Sequence, residues 1–264
     1  MTLRIDEIGP WSEIKLDILK DYVKAYSTIL AAQRRFKYLY IDAFAGAGRH
    51  FSRTTGEMVP GSPLNALLID PPFTEYHFID IDRLRVERPN VYVYEGDCNR
   101  LLLETIFPRV RYEDFRRALC ILDPYGLHLN WEVIQMAGDL KTIDIFLNFP
   151  VTDMNRNVLW RAPERVDPRQ AERMTRFWGD TTWHDVAYDT TSNLFGLPEK
   201  VEMERIVNAF RERLEKVAGF KHVPKPIPMR NSKGAVVYYL FFASPKPVAK
   251  NIVRDIFKKH GGRM

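Results

Sequence analysis

Only two cysteines, Cys98 and Cys120, occur in the 264 residues. That excludes a disulfide framework and any Cys/His metal spacing, so no metal is expected and a reducing, cytoplasmic setting is the default. No apolar run approaches the roughly 18–20 residues of a membrane span, and the first residues are charged and amphipathic, without the apolar core of a signal peptide. Neither a membrane nor export is therefore expected. No Gly-Lys-Ser/Thr occurs, so there is no Walker phosphate loop. Internal repeats and low-complexity tracts are missing as well. The formal charge is only +5, which permits a nucleic-acid partner without requiring one. Against these absences stand 45% hydrophobic and 28% charged residues, ordinary values that supply the core of one large α/β domain spanning 1–264.

The chain reads as alternating helices and strands after an irregular start at 1–10. Ser12 caps a helix to about Gln33, with Ile14, Ile18, Leu19, Tyr22, Val23, Tyr26 and Leu30 on its apolar face. Lys15 lies near the start of that helix, against the dipole preference, either as a solvated lysine or as a residue facing a ligand mouth. Strands are expected at Tyr38–Ile41, Tyr76–Ile81, Val91–Tyr94, Ala118–Leu122 and Ile143–Leu147. Between them come a basic loop from Arg49 to Gly61, a helix Pro63–Ile69 capped by Ser62, a helix Asn99–Phe107, and a helix Trp131–Gly138 capped by Asn130. This alternation argues a parallel sheet with right-handed crossovers. Residues 151–197 break the rhythm and read as an insertion over the site, rich in arginine and holding Trp160, Trp178 and Trp183. A helix Pro198–Val217 and a strand pair, Lys221–Ile227 and Val236–Ala243, follow, with Val236–Ala243 the inner strand. A terminal helix Pro247–Lys259 closes the pattern.

The first strand runs into Asp42-Ala43-Phe44-Ala45-Gly46-Ala47-Gly48. Glycines at the carboxyl end of a buried strand let the backbone pass close to a ligand. The dinucleotide pattern G-x-G-x-x-G fails here, because Phe51 stands at its third glycine, and Asp42 would repel a pyrophosphate. Asp42, Asp80, Asp97 and Asp123 each follow a strand, so a parallel sheet carries them to one edge. By position, Asp80 is expected to accept two ribose hydroxyls, with Asp82 its close rival. Asp97 is expected to accept an adenine amino group, with Cys98 or Asn99 offering a backbone N–H. The run D-x-F-A-G-x-G resembles motif I of the class I S-adenosylmethionine-dependent methyltransferases. That likeness implies a cofactor site for S-adenosylmethionine at Asp42, Phe44, Gly46, Gly48, Asp80, Asp97 and Cys98. It also implies a seven-stranded Rossmann-like sheet of five parallel strands plus a C-terminal antiparallel pair.

Asp123-Pro124-Tyr125-Gly126 resembles the [DN]-P-P-[YF] motif of amino methyltransferases, with one proline missing and the aromatic one place early. It makes Asp123, Pro124 and Tyr125 the candidate catalytic group, against the plainer reading of an Asp-Pro-x-Gly turn. A cysteine nucleophile is disfavoured, since Cys120 lies mid-strand and Cys98 lies by the adenine end of the site.

Further stretches are Lys15-Leu16-x-x-Leu19, Tyr40 to Gly48, Gly61-Ser62-Pro63-Leu64-x-Ala66-Leu67, Gly96-Asp97-x-Asn99 and Tyr238 to Ser244. With Asp123-Pro124-Tyr125-Gly126 they resemble the three-Cys-motif partner proteins of bacteria and archaea, outside 151–197. The resemblance implies a methyltransferase-like protein working beside a second protein with three cysteines, of radical S-adenosylmethionine or iron–sulfur type. The expected activity is methyl transfer from S-adenosylmethionine, with RNA or DNA favoured as acceptor by the charge and by the Arg/Trp-rich insertion. The alternatives are a non-catalytic subunit of the same fold and a small-molecule or protein methyltransferase.

Overall fold

The computed structural model describes residues 6–80, 87–190 and 199–261. Asp82, the end of the expected strand at Ile81, part of the insertion (191–197) and Pro198 lie outside the described residues. The central sheet has seven strands: β1 (Lys37–Asp42), β2 (Glu75–Ile79), β3 (Val91–Tyr94), β4 (Arg116–Leu122), β5 (Ile143–Phe149), β6 (Ile227–Arg230) and β7 (Val236–Ala243). Their order is β6-β7-β5-β4-β1-β2-β3. The first five are parallel, β7 runs antiparallel to β5, and β6 antiparallel to β7. The chain walks outward from β1 to β3, then returns to place β4 on the other flank of β1. The order therefore reverses at the β1–β4 crevice, which is where open α/β sheets hold ligands.

Alternate residues of β1 feed opposite faces, as the pleat requires. Leu39 and Ile41 pack with α3 (Cys98–Leu101), α4 (Trp131–Leu140) and α8 (Met203–Lys216). Tyr38 and Tyr40 pack with α1 (Pro10–Ala31), α2 (Ser62–Leu67) and α9 (Pro247–Gly261). The apolar face expected of α1 is buried at Ile14, Ile18, Leu19, Tyr22, Val23 and Tyr26. Its start differs from the expectation, because Pro10 occupies the first turn and Gly9 stands at the N-cap. Ser62 likewise is not a cap but the first residue of α2; its hydroxyl is used elsewhere, as described below.

The stretch read as irregular loops is ordered. Arg49–Ser52 and Met58–Pro60 form a hairpin, and Asp6–Ile8 pairs parallel to its first strand. Gly56 turns it at φ +72°, a conformation that favours glycine. At the other end of the chain, the expected strand Lys221–Ile227 is not formed: the pairing lies later, at β6, sharing only Ile227 with it, and is preceded by a single bridge between His222 and Ser244. Pro224, Pro226 and Pro228 explain this, since proline cannot donate to a ladder and is confined to edges. β7 is the inner strand, as expected, pairing Tyr239 with Phe149 through Ala243 with Ile145.

Residues 151–190 form α5 (Val151–Asn157), α6 (Pro168–Trp178) and α7 (Trp183–Ala187). Phe177, Trp178 and Trp183 are buried in the same core as Phe149 and Phe210. Of the three tryptophans of the insertion, Trp178 and Trp183 are thus core residues, and Trp160 stays on the surface. No described helix is long and apolar enough to cross a membrane.

A buried carboxylate on β5 ties the layers together. Asp144 accepts hydrogen bonds from Tyr22 Oη of α1 at 2.8 Å and from Ser244 Oγ at 2.6 Å. Burial raises its pKa to about 6, the two hydroxyls opposing the shift. An acid raised on folding binds more protons in the folded than in the unfolded chain between the two pKa values. Its contribution to stability therefore falls as pH rises from about 4 to about 6. We expect Asp144→Asn to flatten this slope, so that the variant gains roughly 3 kcal/mol on the parent between pH 4 and pH 7. Urea melts across that range check it, and parallel stability curves would contradict it.

Candidate functional site

The site is assembled at the carboxyl edge of β1, β2, β4 and β5. Asp42 ends β1 and is fully buried. One of its oxygens accepts the Phe44 backbone N–H at 3.2 Å; the other accepts Ser62 Oγ at 2.6 Å and Tyr40 Oη at 3.4 Å. Burial raises its pKa to about 6, with the Ser62 hydroxyl and the Phe44 N–H opposing. Asp42 thus shapes the turn from inside the fold, tying β1, the glycine loop and the start of α2. Beyond it, Gly46 and Gly48 take φ +59° and +73°. The Ala45 N–H donates to Ile79 O at 3.0 Å, pinning the turn to the end of β2. Gly48 O accepts from the Gly61 N–H at 2.8 Å, so the 49–60 hairpin returns to the turn it left. A side chain on Gly61 would meet Gly48 carbonyl atoms at 3.1 Å, which explains glycine there.

Asp80 follows β2, and its carboxylate lies 3.9 Å from where a Cβ on Gly46 would stand. The glycine turn and Asp80 are therefore direct neighbours across the β1–β2 edge. Asp97 is exposed and caps α3, accepting the Arg100 N–H at 2.9 Å. Asn99 spans from Asp97 to the far loop: its Nδ2 donates to His128 O at 3.0 Å, and its Oδ1 accepts the Asn130 N–H at 2.7 Å. Cys98 is buried, and burial pushes its thiol up to about 12. Cys120 is buried and also shifted upward. Neither thiol is suited to act as a nucleophile.

Asp123, just past β4, is the centre of the reaction-site candidate. Its Oδ2 pairs with Lys15 Nζ from α1, and its Oδ1 accepts Asn148 Nδ2 from β5 at 2.8 Å. Lys15 is largely buried and lies 5.6 Å from the centre of the Tyr238 ring. Burial works against its charge, but the Asp123 carboxylate outweighs burial and leaves its pKa raised. The solvated reading of Lys15 does not hold, since its amine is buried against Asp123. Asn148 Oδ1 is buried with no hydrogen-bond partner among the described residues, an acceptor left open beside Asp123. This amide was not singled out in the sequence beyond its place in Asn148-Phe149-Pro150. Tyr125 is 75% exposed at the rim. Gly126 takes φ +70°, and a side chain there would strike the Asp153 carboxylate at 2.6 Å. That carboxylate accepts the Leu127 N–H at 3.0 Å and pairs with Arg173 at 3.1 Å. The 151–190 segment is thus anchored directly on the Asp123 loop. Arg173 is committed to that anchor, leaving Arg165 and Arg169 on the surface. Among the described residues no cluster of three or more His, Cys, Asp or Glu is arranged to hold a metal.

No family model matches this sequence, and no curated protein matches it. The likeness to three-Cys-motif partner proteins rests on the motifs alone. Among solved structures, a Legionella pneumophila protein of family DUF519 is similar at 12% identity, covering 92% of this chain and 91% of that one, with a TM-score of 0.45. A protein from Thermobifida fusca, provisionally described as a methyltransferase, is similar at 16% identity, covering 89% and 83%, with a TM-score of 0.40. At these TM-scores neither likeness identifies the activity of this chain.

The Ser62–Asp42 contact has a measurable consequence. Ser62→Ala removes the shortest hydrogen bond that the ionised Asp42 accepts. We expect a loss of about 1–3 kcal/mol at pH 8. The loss should shrink below about pH 6, where Asp42 holds a proton in the folded state. Denaturant melts at pH 5 and pH 8 measure it, and an equal loss at both would show that the carboxylate is not the group affected.

Proposed function

We propose that this chain is an S-adenosylmethionine-dependent methyltransferase whose acceptor is an N–H-bearing group. The observation that carries the reading is the convergence, at the β1–β4 switch point, of an open glycine turn, two strand-end acids and a lysine-paired Asp123 beside an amide oxygen with no partner among the described residues. The residues present fit the cofactor. Gly46 presents bare backbone next to the Asp80 carboxylate, where a side chain would narrow the cleft. In this reading Asp80 accepts the ribose hydroxyls, and Asp97 uses its remaining lone pairs for the adenine amino group beside the Cys98 and Asn99 backbone. Phe44, Gly46 and Gly48 line the amino-acid end, and Asp42 holds that turn in shape without leaving the interior. When bound, the cofactor supplies an electrophilic methyl group on a sulfonium.

The acceptor side belongs to Asp123, Pro124, Tyr125 and Asn148. Lys15 pairs with Asp123 and fixes it, and Asn148 donates to it, so the amide oxygen points its lone pairs elsewhere. An incoming amine would meet Asn148 Oδ1 and the outer lone pairs of Asp123, with the exposed Tyr125 ring beside it. Those contacts would orient the nitrogen lone pair toward the methyl, and the Asp123 carboxylate would take the proton that the amine releases as an N–C bond replaces the S–C bond. Nucleic acid as the acceptor draws less support than the sequence suggested, since Trp178 and Trp183 are core residues. The second reading, a non-catalytic subunit of a three-cysteine partner, is favoured by one observation: Lys15 already occupies an oxygen of Asp123.

The test is calorimetry with S-adenosylhomocysteine. Binding is expected, with Asp80→Ala weakening it by about 1.5–3 kcal/mol, roughly ten- to a hundredfold. Asn148→Ala should leave this binding unchanged, because the acceptor side does not touch the cofactor. Folded protein that gives no heat at millimolar ligand would contradict the reading.

A further inference from the structure

The opposite edge of the sheet carries a second concavity. A basin of about 500 Å³ opens at the amino ends of the strands, lined by Glu75 of β2, Tyr92 of β3, Arg116 of β4, and Arg109, Arg111 and Asp114 of the loop before β4. Its volume lies in the range of small-molecule sites. It is separate from the glycine turn, which stands at the carboxyl ends of the same strands. We propose that this basin binds a mononucleotide, with the phosphate on its arginines and the base on Tyr92.

Three observations converge on that ligand. First, three guanidinium groups face one space, and guanidinium is the side chain best matched to phosphate oxygens. Arg109 and Arg111 are exposed on the rim, while Arg116 lies deeper, its side chain 14% exposed. Second, Arg116 is incompletely satisfied. Its Nη2 donates to Glu75 Oε2 at 2.5 Å, but its Nε is buried without a partner. The guanidinium therefore keeps hydrogen-bonding capacity that no neighbour among the described residues uses. Third, Tyr92 is stacked on His77 by one face, with centroids 5.0 Å apart and planes 17° from parallel. It is still 42% exposed, so it offers a supported aromatic platform to a flat ring.

The acids of the basin lower its positive charge without reversing it. Glu75 is spoken for by His77 and Arg116, which hold its carboxyl down to about 2. Asp114 leaves the lining with three cations to two anions. Next to the basin, Arg35 and Arg117 lie over Phe36, and Arg117 also over Tyr112, adding positive charge to the same edge.

The inference does not depend on the cofactor reading, and its test separates the two. AMP, adenosine and inorganic phosphate would be titrated calorimetrically at low salt into the parent protein, Arg109→Gln/Arg111→Gln, Tyr92→Ala and Asp80→Ala. The two arginines are exposed, so the double variant should fold. AMP is expected to bind at least about tenfold more tightly than adenosine or inorganic phosphate, and to weaken as salt rises. The arginine double variant and Tyr92→Ala should each lose about tenfold or more, while Asp80→Ala binds AMP as the parent does. The proposal is overturned if AMP does not bind, if inorganic phosphate binds as well as AMP, or if Asp80→Ala abolishes binding that the arginine variant retains.

Discussion

The carboxyl edge of the sheet gathers acids, and a buried cation from another element makes that edge tenable. Lys15 reaches it from the first turns of α1, pairs with Asp123, and also acts on the charge of Asp42. Without it, Asp42 and Asp123 would face each other from adjacent strands, β1 and β4, in a partly desolvated crevice, where like charges repel. The placement runs against the helix dipole, which penalises a cation at a helix start by a few tenths of a kcal/mol to about 1 kcal/mol. A hydrogen-bonded ion pair in partial burial outweighs that. The α1 helix therefore both covers one face of the sheet and supplies the counter-charge of the site.

From that constraint follow the other features of the edge. Asp42 can stay buried because Ser62, Phe44 and Tyr40 donate to it, and in doing so it fixes the turn that presents Gly46 to Asp80. Asp123 is fixed at the crevice because Lys15 and Asn148 hold both its oxygens. Asp153 then locks the next loop to the helical segment 151–190 through Leu127 and Arg173. These contacts form a continuous chain from α1 through β1, β4 and β5 to α6. A change at any link displaces the groups proposed to bind cofactor and acceptor.

Much of this was legible in the sequence, for physical reasons. Four of the five parallel strands are apolar runs buried on both faces, with β3 a half-exposed edge, and an acid or amide stands at the end of each, so their common edge followed from parallel pairing alone. The inner position of β7 followed from its unbroken apolar run. What was not legible depended on partners distant in the chain. Ser62 looks like a cap because Ser-Pro is good capping chemistry, but its hydroxyl finds Asp42 first. The hairpin at 49–60 has no strong alternation, and it is ordered by pairing with Asp6–Ile8 and by return to Gly48. The tryptophans of the insertion read equally well as stacking platforms or as core, and the decision came from Phe149 and Phe210, with which Trp178 and Trp183 share a core. The open oxygen of Asn148 carries no sequence signal, since only the geometry shows which of its atoms lacks a partner.

The central claim is that the glycine turn, Asp80 and the start of α3 form one cofactor cleft. Hydrogen–deuterium exchange with and without S-adenosylhomocysteine tests it most directly, because it reads where the ligand acts and not merely whether it binds. The account predicts slowed exchange in peptides covering 43–48 and 95–100, with 109–117 at the opposite edge unchanged. Protection confined to the opposite edge, or absent from both cleft segments while the ligand is bound, would contradict it.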